Sequence, residues 1–156
     1  MGGDFDHRWT QTREAIEVMK LLWTEEEAEY HGRYFDFPPV RSYPKPAQKP
    51  HPPILLGGMA RNVLRRVVAH ADGWLPNRVT PAQVEDGRAR LDAMAAEAGR
   101  DPASLTISVY GQDPNWDVVQ SFLNAGANRV VVRPEHCDTE EEMGNQLERM
   151  AEAVIR

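Results

Sequence analysis

Ile54-Leu55-Leu56-Gly57-Gly58 is a short, unbroken apolar run closed by two glycines, and its reading decides the fold. Apolar residues without alternation suit a strand covered on both faces, as strands of parallel sheets are. Downstream, Val63, Leu64, Val67, Val68 and Ala71 repeat at helical spacing. Gly73-Trp74-Leu75 is a second short strand. Thr80-Pro81-Ala82-Gln83 then opens a helix with a capping threonine, a proline at the first helical position and a glutamine three residues after the cap. That helix continues through Val84, Leu91, Met94 and Ala98 and stops at Gly99. Leu105-Thr106-Ile107-Ser108-Val109 alternates as a third strand. Residues 116–125 form a short helix capped by Asn115 and closed by Gly126, and Arg129-Val130-Val131-Val132-Arg133 is a fourth strand. Thr139-Glu140-Glu141-Glu142 caps a last helix whose apolar face is Met143, Leu147, Met150, Ala151 and Val154.

Strand–helix pairs in succession demand parallel strands, because each helix carries the chain back to the starting edge of the sheet. Two architectures fit: an open layered sheet, or part of a (β/α)8 barrel. A whole barrel takes about 250 residues, so this chain has room for roughly half of one. Upstream of residue 54 the texture differs. Ala15, Val18, Met19 and Leu22 give one apolar face to a helix over residues 14–23. Thr24-Glu25-Glu26-Glu27 offers a capping box for a short turn. Aromatic residues flank Gly32 in residues 28–37, which read as a small β-hairpin or an extended loop. Residues 43–53 hold five prolines in eleven positions and can be neither helix nor central strand, so they form a semi-rigid connector. The organisation expected is a single domain over 1–156: helix, hairpin and connector in 1–53, then four strand–helix units in 54–156.

The chain has 156 residues, with 18 Lys and Arg against 24 Asp and Glu, a formal net charge of −6. That balance argues against a nucleic-acid surface, which needs clustered positive charge. No apolar run approaches the roughly 20 residues that span a bilayer. The start Met1-Gly2-Gly3-Asp4-Phe5-Asp6 lacks the basic end and apolar stretch of a signal peptide, and Cys137 is the only cysteine. These features lead to an expectation of a soluble, cytoplasmic protein without nucleic-acid or membrane partners.

Gly57-Gly58 is the most informative candidate site. Two glycines between a strand and a helix let the backbone approach a ligand closely, and a helix starting near Ala60 would add its positive end, so a phosphate would sit well on the amides of Met59 and Ala60. A tight turn needing positive φ explains the same two glycines without a ligand. Arg61 is within reach of an anion at that helix start, while Arg65 and Arg66 read as a solvated face. Asn77 and Arg78 after the second strand, and Arg133 and His136 after the fourth, lie on the side where barrel enzymes place their active groups; exposed loop polarity is the plain alternative. The five histidines lack metal-ligand spacing, so no metal site is expected. His136-Cys137 are adjacent and point apart, which disfavours a catalytic dyad.

Three stretches occur in order and together resemble the bacterial luciferase-like monooxygenase family: residues 15–23 followed by Tyr30-His31-Gly32-Arg33-Tyr34-Phe35, then residues 44–58, then Ala71-Asp72-Gly73-Trp74-Leu75-Pro76. The resemblance covers most of the first 110 residues; the tail agrees only in its strand–helix order. It implies an α/β fold, here half of a TIM-type (β/α) barrel with about four parallel strands preceded by a helix and a hairpin. It also implies FMN or a deazaflavin coenzyme, oxidation or reduction of small organic substrates, and a coenzyme phosphate held at the Gly57-Gly58 loop. Only the C-terminal part of the family is matched. The four strands that supply much of the ring pocket and the usual catalytic side chains in relatives have no counterpart here, so no catalytic residue is assigned. The expectation is a shortened family member or a fragment.

Two functional readings follow. One is a shortened luciferase-like oxidoreductase unit holding FMN or a deazaflavin through Gly57, Gly58, Met59 and Ala60, with Asn77, Arg78 and Arg133 near the ligand. The other is a non-catalytic, self-associating remnant that binds or regulates a partner. A half-barrel has two open strand edges and an uncovered inner face, which Ile54, Leu56, Val130 and Val132 are expected to help form. Leaving several hundred Å² of apolar surface in water would cost on the order of 10 kcal/mol, so a homodimer joined through edges or faces is expected. The competitor is an open sheet covered by the chain's own helix and hairpin through Trp23, Tyr30, Tyr34 and Phe35.

Overall fold

A computed structural model describes residues 4–155; the first three residues of the stretch inspected for a signal peptide lie outside that range. The chain divides into two compact units, Met1–Pro53 and Ile54–Arg156. Among the described residues no helix is long and apolar enough to cross a membrane.

The first unit holds α1 (Arg8–Thr24), β1 (Ala28–His31) and β2 (Asp36–Val40). Helix α1 begins six residues before the apolar spacing indicated. Its first turns carry no apolar stripe and are held locally: Thr12 Oγ1 donates to the Arg8 carbonyl at 2.8 Å, and the Arg8 guanidinium sits 4.2 Å from the Phe5 ring centre. No capping box forms at Thr24. This residue ends α1 and its hydroxyl donates back to the Lys20 carbonyl at 2.9 Å. The proline-rich segment supplies the missing cap, because Lys45 Nζ donates to the carbonyls of Leu22, at 2.7 Å, and Glu25. Trp23 and His51 bring their rings to 5.9 Å.

Strands β1 and β2 pair antiparallel, with His31 opposite Asp36 and Tyr30 opposite Phe37, so residues 28–37 are a hairpin. Its turn closes on the Glu14 carboxylate, which is 4% exposed and accepts the backbone N–H groups of Arg33 (3.2 Å), Tyr34 (2.7 Å) and Phe35 (3.3 Å). Gly32 is required there, since a Cβ would stand 2.6 Å from Glu14 Oε2. Tyr30 donates its hydroxyl to Glu17 at 2.6 Å, and burial together with that bond pushes its pKa up to about 12.

The N–H of Tyr34, foremost among the three, holds the Glu14 carboxyl below its ordinary value of 4.5. A folded-state pKa below the unfolded one gives stability that is complete above the unfolded value and is lost as pH falls through the folded one. Glu14→Gln should therefore lower the urea midpoint at pH 7 and flatten the loss of stability below pH 4.5, as read by circular dichroism between pH 3 and 7.

The second unit runs β3 (Leu55–Gly57), α2 (Val63–His70), β4 (Gly73–Leu75), α3 (Pro81–Glu97), β5 (Thr106–Gln112), α4 (Trp116–Asn124), β6 (Arg129–Val132) and α5 (Glu140–Val154). The sheet order is β3-β4-β5-β6 with every pairing parallel. Thr80 and Gln83 form the reciprocal capping box expected of α3, and Asn115 and Thr139 cap α4 and α5. Strand β5 runs three residues beyond Val109, because Gly111, at φ 80°, makes a bulge between Tyr110 and Gln112.

Two side chains start the strands. Asp72 accepts the Ile54 N–H at 2.8 Å while its own N–H donates to the Ile54 carbonyl at 2.7 Å. Asn128 treats Ile107 in the same way, both bonds at 2.8 Å. Arg100 donates to the carbonyls of Val68 (3.0 Å) and Ala71 (2.7 Å) at the end of α2 and lies 3.6 Å from Asp72.

Helices α2, α3 and α4 cover one face of the sheet, where Trp74, Ile107 and Val109 pack with Val67, Leu91 and Phe122. Leu56 and Val130 pack against this same core, which corrects the expectation that they face a barrel interior. A continuous apolar run does not disclose the phase of its strand, whereas Trp74 and Ile107 set it. The opposite face carries Leu55, Gly73 and Thr106 at the start of the strands and Leu75, Ser108, Tyr110 and Val131 further along them. Helix α5 buries only Met150 of its apolar face and leaves Leu147 51% exposed.

Candidate functional site at the strand ends

Because the strands are parallel, their C-terminal ends bring four loops to one edge of the sheet: residues 57–62, 76–79, 110–115 and 133–139. The first is shaped by Gly58, at φ 93°. Its N–H donates to the Leu75 carbonyl at 3.3 Å, and its carbonyl accepts the Trp74 indole N–H at 2.8 Å. Both backbone groups of Gly58 are thus used within the fold. Helix α2 begins at Val63 rather than near Ala60, after a turn in which the Val63 N–H donates to the Ala60 carbonyl at 2.8 Å. Met59, Ala60 and Arg61 are exposed and line a cavity of about 390 Å³, together with Leu64 and Trp74. The far wall comes from α3, where Asp86 and Arg90 pair at 3.2 Å.

The second loop places Asn77 beside Tyr110, extending the parallel pairing of β4 and β5, and the Tyr110 N–H donates to the Pro76 carbonyl at 3.1 Å. Arg78 follows at φ 51°, a left-handed conformation that a side chain disfavours. Asn77 and Arg78 are exposed at the strand edge and line none of the cavities described here.

Arg133 anchors its N–H to the Gln112 carbonyl at 3.1 Å and lines a second cavity of about 230 Å³ with Gly111, Asp113, Glu135 and Gln146. A third, of about 410 Å³, is lined by His136, Cys137 and residues of α5. His136 pairs with Asp138 at 3.4 Å, while the Cys137 thiol faces Gln146 Oε1 at 3.6 Å, so the two are turned to different partners. Among the described residues no three His, Cys, Asp or Glu gather as a metal ion requires.

The residues singled out from the sequence therefore share one edge but not one cavity. Met59 and Ala60 belong to the first, Arg133 to the second, and Asn77 and Arg78 stand along the rim. Sequence reading missed the Gly111 bulge, whose signal was a glycine interrupting an alternating run just before Asp113-Pro114. It also missed Asp86 and Arg90, and it read Gln83 only as part of the cap of α3.

Residues 1–112 match the model of the luciferase-like monooxygenase family. The chain belongs to that family. This luciferase-like chain is 41% identical over 130 residues to an uncharacterized protein of Mycobacterium tuberculosis, covering 80% of this chain and 43% of the relative. It is 29% identical over 106 residues to an FMNH2-dependent dimethylsulfone monooxygenase of Pseudomonas putida, covering 68% of this chain and 28% of that enzyme. Its fold is similar to that of the coenzyme F420-dependent tetrahydromethanopterin reductase from Methanopyrus kandleri, with a TM-score of 0.72 at 18% identity, covering 94% of this chain and 62% of that one. The four-stranded parallel sheet with its helices is thus the partial TIM-type barrel expected from the sequence. The luciferase-like chain spans less than half the length of the curated relatives it matches.

Trp74 fixes the first loop from below. Trp74→Phe keeps an aromatic ring in the core and removes the bond to Gly58, worth about 0.5–1.5 kcal/mol. Hydrogen exchange at residues 58–62 should then accelerate about 2–10-fold more than exchange at residues 133–139, which Trp74 does not hold and which report the global loss from the smaller ring.

Proposed function

We propose that this luciferase-like chain supplies the phosphate- and tail-holding end of a flavin- or deazaflavin-dependent oxidoreductase. The observation carrying this reading is the strand-end edge itself, where Arg61, Arg78 and Arg133 follow three different parallel strands and all stand exposed. Since the Gly58 N–H is committed to Leu75, a phosphate would take the N–H groups from Met59 to Asn62 and the Arg61 guanidinium instead. The space beside Gly58 supports that fit, for nothing lies within 4 Å of where its Cβ would stand. Asn77, Arg78 and Arg133 would orient the remainder of the coenzyme along the edge. FMN or F420, when bound, supplies the hydride or oxygen chemistry, and the residues of this chain bind and orient it. The relatives named above, one FMNH2-dependent and one F420-dependent, support this class of coenzyme. A cytoplasmic setting, where the single thiol of Cys137 stays reduced, belongs to the same reading.

Titrating FMN and F420 separately into the full chain, followed by coenzyme fluorescence, should show saturable binding of one of them. Arg61→Ala and Arg133→Ala should each weaken it about tenfold, the loss expected for a charge-assisted bond. No binding of either coenzyme up to millimolar concentration would refute the proposal.

A second reading is self-association. Among the described residues β3 and β6 each have one strand neighbour, which leaves two edges able to pair with another copy. Sedimentation equilibrium at micromolar concentration should show a dimer, and a clean monomer with cooperative unfolding would exclude this reading.

A further inference from the structure

The cavity between α2 and α3 lies on the helix-covered side of the sheet. Trp74 forms its floor, and that ring packs with the helix core rather than on the face shared by Leu55, Gly73 and Thr106. It therefore opens away from the face that a barrel turns inward, where a ring system bound along the strand ends would lie. Its volume of about 390 Å³ is that of a small-molecule site, for which about 300–1,000 Å³ is usual.

The lining divides by chemistry. Val63, Leu64 and Trp74 make an apolar floor and are buried, at 7%, 4% and 2% exposure. Gly87 completes it, since any side chain at 87 would overlap the Trp74 ring. Polar groups stand only at the rim: Arg61 on one side, Gln83, Asp86 and Arg90 on the other. Asp86 neutralises Arg90, and no ion pair among the described residues engages Arg61. The rim thus carries one uncompensated positive charge above an apolar floor. Such a site selects a compact apolar body bearing a single negative charge, because a neutral ligand forgoes the guanidinium and a highly charged one cannot occupy the floor.

We propose that this cavity binds a small aromatic carboxylate, with its rings on Val63, Leu64 and Trp74 and its carboxylate on Arg61. The apolar floor is separate from the strand-end edge assigned to the coenzyme, and the two sites share Met59, Ala60 and Arg61 at their boundary. It also has a route to that edge. The indole that floors the cavity holds the Gly58 carbonyl, so an occupant pressing on Trp74 acts on the residue that fixes the loop 58–62.

The test uses 2-naphthoate and the full chain labelled with ¹⁵N, following the indole N–H resonance of Trp74 assigned through Trp74→Phe. Naphthoate should shift this resonance saturably at submillimolar concentration. Ala82→Leu, at an exposed position of α3 whose longer side chain enters the cavity, should weaken binding about tenfold or more without unfolding the protein. Arg61→Ala should weaken naphthoate about tenfold and leave the neutral 2-naphthalenemethanol unchanged. Excess FMN, whose phosphate would draw on Arg61, should weaken naphthoate by no more than Arg61→Ala does and should leave 2-naphthalenemethanol bound. The proposal is overturned by an unmoved Trp74 resonance up to about 5 mM naphthoate, by equal affinity in the folded Ala82→Leu protein, or by displacement of 2-naphthalenemethanol by FMN, which would make the cavity part of the coenzyme site. Because coenzyme binding is read by its own fluorescence, failure of either proposal leaves the other standing.

Discussion

The second unit depends on how closely three consecutive residues, Asp72, Gly73 and Trp74, bring their neighbours together. Asp72 lends β3 a hydrogen-bond partner before the ladder begins and, through its carbonyl, accepts the Thr106 N–H at 3.0 Å on the other side. Gly73 lets β3 and β5 approach from both flanks, because a Cβ there would overlap both the Leu55 side chain and Thr106. Trp74 then turns to the opposite face, fills the space above Gly87 and reaches the Gly58 carbonyl. One tripeptide thus sets the start of the sheet, the spacing of its middle strands, the seat of α3 and the shape of the first strand-end loop. A larger residue at 73 or 87 would move all of these together, since a packed interior transmits displacement.

Polar side chains are used differently at the two ends of the strands. At the N-terminal ends the polar side chains are consumed internally: Asp72 and Asn128 by the preceding strands, Arg100 by the carbonyls that end α2. At the C-terminal ends the arginines are exposed, and the backbone departs from regularity at Gly58, Arg78 and Gly111. Parallel sheets favour this division, because every loop that follows a strand returns to one edge and every loop that precedes a strand lies at the other.

What was legible in the sequence follows the same line between local and distant causes. The caps at Thr80, Asn115 and Thr139 and the order of strands and helices rest on residues a few positions apart, and they appear as read. The phase of β3 and β6 does not, because a run such as Leu55-Leu56 or Val130-Val131-Val132 offers apolar residues to both faces. Choosing between the faces took Trp74 and Gly87, thirteen positions apart in sequence. Glu14 shows the same limit: it is buried in α1 one turn before Val18, and nothing nearby in sequence tells that its carboxylate will close a turn nineteen to twenty-one residues later.

The Gly57-Gly58 pair illustrates how a site motif can be partly structural. Read from the sequence, two glycines before a helix present amides to an anion, and a tight turn explains them as well. The fold shows the turn reading at Gly58 and leaves the anion reading to the proposal for Met59 to Asn62. Gly58 is the turn, with positive φ and both backbone groups held by β4, and this commitment aims the chain so that Met59 to Asn62 emerge exposed before α2 begins. A loop anchored at its first residue by the indole of a buried tryptophan is already ordered when a ligand arrives, so less conformational entropy is lost on binding. The glycine read as a ligand contact is thus a turn, and it exposes the neighbours proposed to take that role.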